Sequence, residues 1–223
     1  RLMADYASTL SRVEDYFDRS ATKVWERLTS DAPVSGIRQT VREGRDRMRA
    51  VMLGRLPADL RGVRVLDAGC GAGQMTADLA ARGADVMAVD ISPALVDIAR
   101  NRLPAEHAHK VTFASGDMTA DYGRFDFVLA MDSLIYYGTQ DITSALHRLG
   151  RNTAQAVVFT VAPRTPFLMT FWTLGKAFPR SDRSPIMVPH AFGTLNRATD
   201  ARLTKIERVS RGFYISECLE YRA

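Results

Sequence analysis

Cysteine is scarce in this chain: Cys70 and Cys218 are the only two in 223 residues. Two thiols cannot build a disulfide framework and show no metal-ligand spacing, so a reducing cytosol is the simplest setting. Long apolar runs are missing too. No stretch is long enough to cross a bilayer, and the opening Arg1-Leu2-Met3-Ala4-Asp5 carries no hydrophobic signal core. The chain is expected to be cytoplasmic and at most to lie on a membrane surface. Basic residues outnumber acidic ones by 30 to 25, a net charge of +5, yet no five stand in a row. That scatter speaks against nucleic acid and leaves an enzyme of anionic substrates or a membrane-surface protein. No repeat or low-complexity tract is visible, and the length suits one α/β domain with an appendage.

What the chain does have is concentrated between Val63 and Thr76, which reads V-R-V-L-D-A-G-C-G-A-G-Q-M-T. The aliphatic residues Val63, Val65 and Leu66 predict a strand, Asp67 ends it, and Gly69, Gly71 and Gly73 follow at alternate positions before a helix. Glycines so placed allow positive φ, or let a ligand approach the backbone with no Cβ in the way. A dinucleotide fingerprint, G-x-G-x-x-G/A, would need a small residue at position 74, where Gln74 stands, and the third glycine comes one place early. Asp67 would repel a pyrophosphate and suits a cationic or amine-bearing ligand. A glycine loop that merely joins strand to helix is the plain alternative.

Around this stretch the periodicities are clear. Leu10, Val13, Phe17, Ala21, Val24 and Leu28 predict an amphipathic helix over residues 5–28, with Tyr16 and Trp25 beside its stripe. A second helix over 37–56 carries Val41, Met48, Val51, Met52 and Leu56 on one face; its arginines Arg42, Arg45, Arg47 and Arg49 read as a solvated face. Strands are expected at 86–90, 111–114, 125–131 and 156–161, with Ser92 and Pro93 opening a helix after the first of these. Alternating residues at 203–209 and 213–219 predict a closing antiparallel hairpin. The result is an α/β fold: a doubly wound, mostly parallel, seven-stranded sheet of Rossmann-like type. Residues 1–57 form a helical amino-terminal extension or lid, 58–162 and 203–223 the core, and 163–202 a cap inserted after strand five.

Leu66 to Gly73 is similar to the first motif of class I methyltransferases, hhxDxGxGxG. Three further segments narrow the resemblance: Val13-Glu14-Asp15-Tyr16-Phe17 with Trp25, Ser133-Leu134-Ile135-Tyr136-Tyr137, and Arg211-Gly212-Phe213-Tyr214-Ile215-Ser216. Together they resemble the magnesium-protoporphyrin IX methyltransferases over nearly the whole chain, and the purple-bacterial members most.

The resemblance implies S-adenosylmethionine as methyl donor, leaving S-adenosylhomocysteine, and no protein-bound metal. It places Asp67, Gly69, Gly71 and Gly73 against the donor and Asp90, with Ile91, on its ribose; Asp90 as an ordinary helix cap is the alternative, though Ser92 already fills that role. Asp117 and Met118 would hold the adenine, and Met131 and Ser133 the methyl-transfer rim. Tyr16 and Tyr136 are candidates for positioning, with helix packing the alternative for Tyr16. The acceptor implied is Mg-protoporphyrin IX, methylated on its ring C propionate in bacteriochlorophyll synthesis. Tyr137, Phe171 and Trp172 would contact it, Lys176, Arg180 and Arg183 would pair with its second propionate, and His190 offers an axial ligand for its magnesium. The aromatic insertion can equally cover the sheet or touch the membrane. The large porphyrin-binding subunit of magnesium chelatase is an implied partner, and peripheral contact with the inner or photosynthetic membrane an implied location. Rival readings are a methyltransferase of another hydrophobic acid or quinol, and a non-catalytic porphyrin-delivery subunit.

Overall fold

The structure, a computed structural model, describes residues 2–18, 23, 26, 30, 35–177 and 185–223. Five parallel strands form its centre: β1 (Arg64–Ala68), β2 (Asp85–Asp90), β3 (Val111–Ser115), β4 (Phe125–Ala130) and β5 (Thr153–Pro163). After the two-residue β6 (Pro189–His190), which pairs with the end of β5, the hairpin of β7 (Leu203–Arg211) and β8 (Tyr214–Arg222) completes the sheet. The order is β3-β2-β1-β4-β5-β8-β7, with β8 antiparallel to both of its neighbours. This is the seven-strand doubly wound sheet that the alternation of strand and helix predicts; β6 is an addition.

Successive residues of a strand point to opposite faces, and the core divides accordingly. Leu66, Val128, Val157 and Phe159 join the layer under α5 (Thr139–Arg151), which supplies Ile142, Ala145, Leu146 and Leu149 at helical spacing. Val65, Leu129 and Val158 join the other layer with Leu79 of α3 (Gln74–Ala81) and with Met48 and Met52 of α2 (Gly36–Leu53). Both faces are thus covered, as a parallel sheet requires. Full burial of such side chains is worth about 1.5–3 kcal/mol each. Before β3, α4 (Pro93–Arg102) opens as its sequence predicts: Ser92 Oγ accepts from the Leu95 N–H at 3.3 Å, and Pro93 fills the first turn.

The amino-terminal helices meet the sheet in two different ways. Helix α1 (Leu2–Tyr16) lies over the carboxyl ends of the strands, where the Tyr6 ring stacks on Tyr137 with centroids 5.0 Å apart. Its described α-helical turns end at Tyr16, and the expected continuation through Ala21, Val24, Trp25 and Leu28 lies outside the described residues. Helix α2 packs on the β7–β8 hairpin, with Gly44 buried against Tyr214.

The arginines of α2 do not form the solvated row that was expected. Arg47 is exposed and pairs with Glu207 at 2.8 Å, but Arg45 turns inward to Asp132 and Arg49 reaches Asp78 at 2.8 Å. Spacing explains the split. Arg45, Met48, Arg49 and Met52 stand at i, i+3, i+4 and i+7, which is one helix face, and that face is the one laid on the protein.

Gly44 makes the approach of α2 possible, since a Cβ there would come within 2.5 Å of the Tyr214 ring. Gly44→Ala is therefore expected to destabilise the fold by about 1–3 kcal/mol through overpacking, despite the better helix propensity of alanine. Urea denaturation measures this, and a stabilised variant would contradict the packing described.

Candidate active site

The carboxyl ends of the parallel strands surround one cavity, holding about 910 Å³ of empty space with its mouth included. Asp67 and Asp90 enter it from neighbouring strands, and both are buried. Thr76 donates its hydroxyl to Asp67 Oδ2 at 2.6 Å; Asp90 accepts from the Gly71 N–H at 2.9 Å on one oxygen and from the Ser92 N–H at 2.9 Å on the other. Burial pushes Asp67 up to about 7, against the Thr76 hydrogen bond, with the Asp90 charge adding to the rise. Burial likewise raises Asp90, while the N–H groups of Ser92 and Gly71 oppose the rise.

Two buried acids with no cation among these partners form a donor set that a cationic ligand completes. A carboxylate has about four acceptor positions, so Asp90 can take a vicinal diol in addition to its two backbone donors. Ile91, Leu95 and Met118 line the cavity nearby with apolar surface suited to a flat ring. The residues present therefore fit S-adenosylmethionine.

The three glycines serve different ends. All have positive φ, at 84°, 51° and 87°. The space beside Gly69 is taken by the Ser133 side chain, whose hydroxyl donates to the Ala68 carbonyl at 2.8 Å. Beside Gly73 it is taken by Ala99 of α4, and Gly73 does not line the cavity. Two of the glycines expected to make room for a ligand thus make room for side chains of the fold, although Gly69 and Gly71 still line the cavity.

After β4 the chain delivers Met131, Asp132, Ser133, Tyr136 and Tyr137 to the same cavity. Asp132 has a left-handed backbone, φ 54°, where a non-glycine residue is strained. Its carboxylate pairs with Arg45 and accepts from Tyr214 Oη, 3.2 Å from both oxygens, and from Thr160 Oγ1 at 3.1 Å. The Asp132 N–H donates back to Thr160 Oγ1 at 2.8 Å. Tyr136 stands in this field. Burial, then Asp132, then Tyr16 raise its hydroxyl well above the ordinary tyrosine value, so it remains a hydrogen-bond donor at neutral pH.

Other expected residues lie elsewhere. Asp117 does not line this cavity; its Oδ1 accepts from Tyr6 Oη at 3.0 Å and from the Thr119 N–H and hydroxyl at 2.8 Å each, which ties α1 to the rim. Tyr16 is half-buried with its ring 5.2 Å from that of Phe17, and Phe17 rather than Tyr16 lines the cavity. Phe171 is exposed and Trp172 half-buried on α6 (Pro166–Ala177), outside the lining. His190 is buried in β6, with Nε2 donating to the Tyr137 carbonyl at 2.8 Å and Nδ1 3.3 Å from Thr139 Oγ1. Burial lowers its pKa, so it is a neutral ring with both nitrogens engaged, a packing residue rather than an axial ligand. Arg180, Arg183 and the Lys176 side chain lie outside what is described. Among the described residues no cluster of three or more His, Cys, Asp or Glu could hold a metal ion.

Comparison with known proteins bears on the same rim. The chain is 63% identical over 221 residues to the magnesium-protoporphyrin O-methyltransferase of Rhodobacter capsulatus, covering 98% of this chain and 99% of that one. The chain belongs to the magnesium-protoporphyrin O-methyltransferase family. A second member, from Synechocystis, is 28% identical over 93% of this chain and 94% of its own. The solved magnesium protoporphyrin IX methyltransferase from Synechocystis PCC 6803, with bound SAH, matches at a TM-score of 0.79 and 26% identity, covering 96% of this chain and 99% of that one. Residues 65–155 match a general methyltransferase domain, and residues 130–223 match the magnesium-protoporphyrin IX methyltransferase C-terminus. The two overlap on the segment holding Asp132, Ser133, Tyr136 and Tyr137.

Among the residues of this methyltransferase site that escaped the sequence reading are Arg45 and Asp132, and Tyr214, which bonds to Asp132, escaped it too. Arg45 was legible in principle, because it shares a helix face with Met48 and Met52. Asp132 stands between two residues that were singled out, but nothing local says that it meets an arginine 87 positions away.

The titration of Asp67 has a measurable consequence. Its pKa is about 7 in the folded chain against about 3.9 unfolded, so folding takes up a proton between those values. That contribution is fully present below the unfolded value and is lost as pH rises through the folded one. Without ligand, the melting temperature of the native chain is expected to fall relative to that of Asp67→Asn between about pH 5 and 8. Differential scanning fluorimetry reads the difference, and parallel curves would show that Asp67 does not titrate there.

Proposed function

We propose that this chain transfers a methyl group from S-adenosylmethionine to the ring C propionate of Mg-protoporphyrin IX, giving the monomethyl ester in bacteriochlorophyll synthesis. The observation that carries this reading is the 63% identity to a magnesium-protoporphyrin O-methyltransferase along essentially the whole of both chains. A non-catalytic delivery subunit would have no use for the buried Asp67 and Asp90.

Bound in the cavity, S-adenosylmethionine supplies a methyl group made electrophilic by its sulfonium. Asp67 and Asp90 hold the amine and the ribose hydroxyls, with Gly71, Ile91, Met118, Met131 and Ser133 around them. A propionate, titrating near 4–5 like a glutamate, is already ionised at neutral pH, so the chain need not provide a general base. Its task is alignment and exclusion of water. Tyr136, a persistent donor, orients the carboxylate, and Leu10, Val13 and Phe17 of the amino-terminal segment close the cavity over it. Tyr16, close enough to help raise the Tyr136 hydroxyl, is the second positioning residue. The macrocycle extends from there toward α6 and the β7–β8 turn, where Phe167, Phe171 and Phe213 stand exposed and Phe167 meets each of the other two, with Trp172 next to Phe171 in the chain. The same exposed rings suit peripheral contact with a membrane, or with the large subunit of magnesium chelatase as it hands over the porphyrin. No helix among the described residues is long and apolar enough to cross a membrane.

The deciding experiment is incubation of the purified protein with methyl-labelled S-adenosylmethionine and Mg-protoporphyrin IX; absence of labelled monomethyl ester rejects the proposal. Tyr136→Phe is expected to lower turnover by about tenfold, near 1.4 kcal/mol, with donor affinity unchanged, since only orientation is lost. Unaltered turnover would remove Tyr136 from the site. Asp90→Ala should weaken donor binding by about 1–3 kcal/mol, read by titration calorimetry.

A further inference from the structure

The rim opposite the cavity carries charge of the other sign. At the amino ends of the strands, Arg64 begins β1, Arg124 immediately precedes β4 and Arg151 stands two residues before β5. Arg222 ends the antiparallel β8 on the same rim, and Arg202 immediately precedes β7. In the sheet β1, β4, β5, β8 and β7 are consecutive neighbours, so these arginines form a row. With strands about 4.8 Å apart, the row is about 20 Å long. All five residues are exposed, and among the described residues none of them is paired with a carboxylate. Arg151, in the last turn of α5, complements the helix dipole, but the other four stand outside any helix.

Two clefts adjoin at Arg151. One, with about 620 Å³ of empty space including its mouth, is lined by Arg64, Arg124 and Arg151; the other, about 800 Å³, by Arg151, Arg202 and His147. The acids of these linings are Asp126, which accepts from the Arg64 backbone N–H at 2.8 Å, and Asp200. Rings rather than acids orient two of the guanidiniums. Arg64 lies over Phe125 at 5.1 Å and Arg202 over Tyr221 at 6.0 Å, and both rings are buried. A guanidinium stacked on a ring keeps its plane while its N–H edge stays turned to an incoming anion. The row is too long for a small anion, which would fill one cleft only. A bilayer-binding surface combines basic with apolar residues; the large exposed apolar side chains among the described residues instead stand on α6, at the β7–β8 turn, at the start of α2 and just before β6. Single-stranded nucleic acid needs exposed rings for its bases, and Phe125 and Tyr221 are covered.

We propose that this arginine rim is a docking surface for an extended acidic segment of a protein partner, its carboxylates pairing in turn with Arg64, Arg124, Arg151 and Arg202. An extended chain sets side chains of one face about 6.7 Å apart, so three or four carboxylates span the row. Each can be received by a guanidinium fork in bidentate fashion. The partner lies at the amino ends of the strands, away from the cavity mouth, and so leaves donor and acceptor free to enter. Complementary charge of this kind sets orientation and association rate.

The probe is a fluorescein-labelled poly-glutamate peptide, titrated with the whole chain at about 0.15 M salt and read by fluorescence anisotropy. The native chain is compared with Arg64→Gln/Arg124→Gln/Arg151→Gln and with a control that removes equal charge elsewhere, Arg12→Gln/Arg38→Gln/Arg100→Gln. Thermal melts verify the fold of each, and methyl transfer by the rim variant is expected to be unchanged. The expected result is a loss of affinity of about tenfold or more in the rim variant and of less than about twofold in the control. Arg151→Gln, at the junction of the two clefts, gives the answer by itself if the triple variant does not fold, with an expected loss of about threefold. Equal losses in rim variant and control mean that only net charge is read, and overturn the proposal. Failure of the native chain to bind the peptide overturns it as well. So does tighter binding of phosphatidylglycerol vesicles or of single-stranded DNA than of the peptide, lost in the same rim variant, which assigns the row to a lipid surface or to nucleic acid.

Discussion

Four carboxylates are delivered to one rim by four consecutive parallel strands, and each must be offset against the water it loses. Asp67 ends β1, Asp90 ends β2, Asp117 follows β3 and Asp132 follows β4. The compensation differs at each. Asp67 has one hydroxyl and is driven up to about 7; Asp90 has two backbone N–H groups; Asp117 has a phenol, a hydroxyl and an N–H; Asp132 has a guanidinium, a phenol and a hydroxyl. Along the rim, in the sheet order β3-β2-β1-β4, compensation falls from Asp117 through Asp90 to Asp67 and is restored at Asp132. The under-compensated acid at β1 is where a cation gains most by binding.

The two better-compensated acids, Asp117 and Asp132, tie the amino-terminal helices to the site. Helix α1 is fastened by Tyr6 to Asp117, and α2 by Arg45 to Asp132, so each helix is held at the rim through a strand-end acid. Apolar contacts alone would let a helix slide along a flat sheet end, whereas a charge-assisted hydrogen bond fixes register and angle. Gly44 allows α2 to come down on Tyr214, and Tyr214 in turn reaches Asp132, so backbone packing and charge pairing act on the same point. Closing the cavity and orienting its polar groups are therefore one event rather than two.

How much of this was legible in the sequence follows from the range of each interaction. The glycine loop, Asp67, Asp90 and the Ser92–Pro93 start of α4 depend on neighbours within a few residues, so a single stretch contains the whole argument. The sheet and its closing hairpin were legible because short aliphatic runs, and the alternating residues on either side of Ser210-Arg211-Gly212, are local patterns as well. Arg45–Asp132 and Tyr6–Asp117 span 87 and 111 positions, and a strand end by itself does not say which helix will cross it. Asp117 illustrates the cost: its position after β3 suggests an adenine partner, but a tyrosine from α1 stands against it. His190 misled for a related reason, since a lone histidine in an irregular segment looks accessible until the buried β6 pairing and the Tyr137 carbonyl are known.

The division of labour along the chain follows from the chemistry. Methyl transfer to an ionised carboxylate needs no base and no metal, so selection can act only on what holds the two reactants and keeps water out. Holding the donor is a local problem, solved by one loop and two strand ends, and residues 65–155 accordingly match a general methyltransferase domain. Holding a broad, flat dicarboxylate is not local. On the proposed reading it draws on surface from the β4 rim, from α6 and from the β7–β8 turn, elements brought together only when β8 inserts antiparallel beside β5. Residues 130–223, which match the family-specific C-terminus, contain all three elements and Tyr214 as well. On that reading acceptor choice is coupled to closure of the sheet: the hairpin that completes the β-structure also carries the phenol that bonds to Asp132, the partner of Arg45.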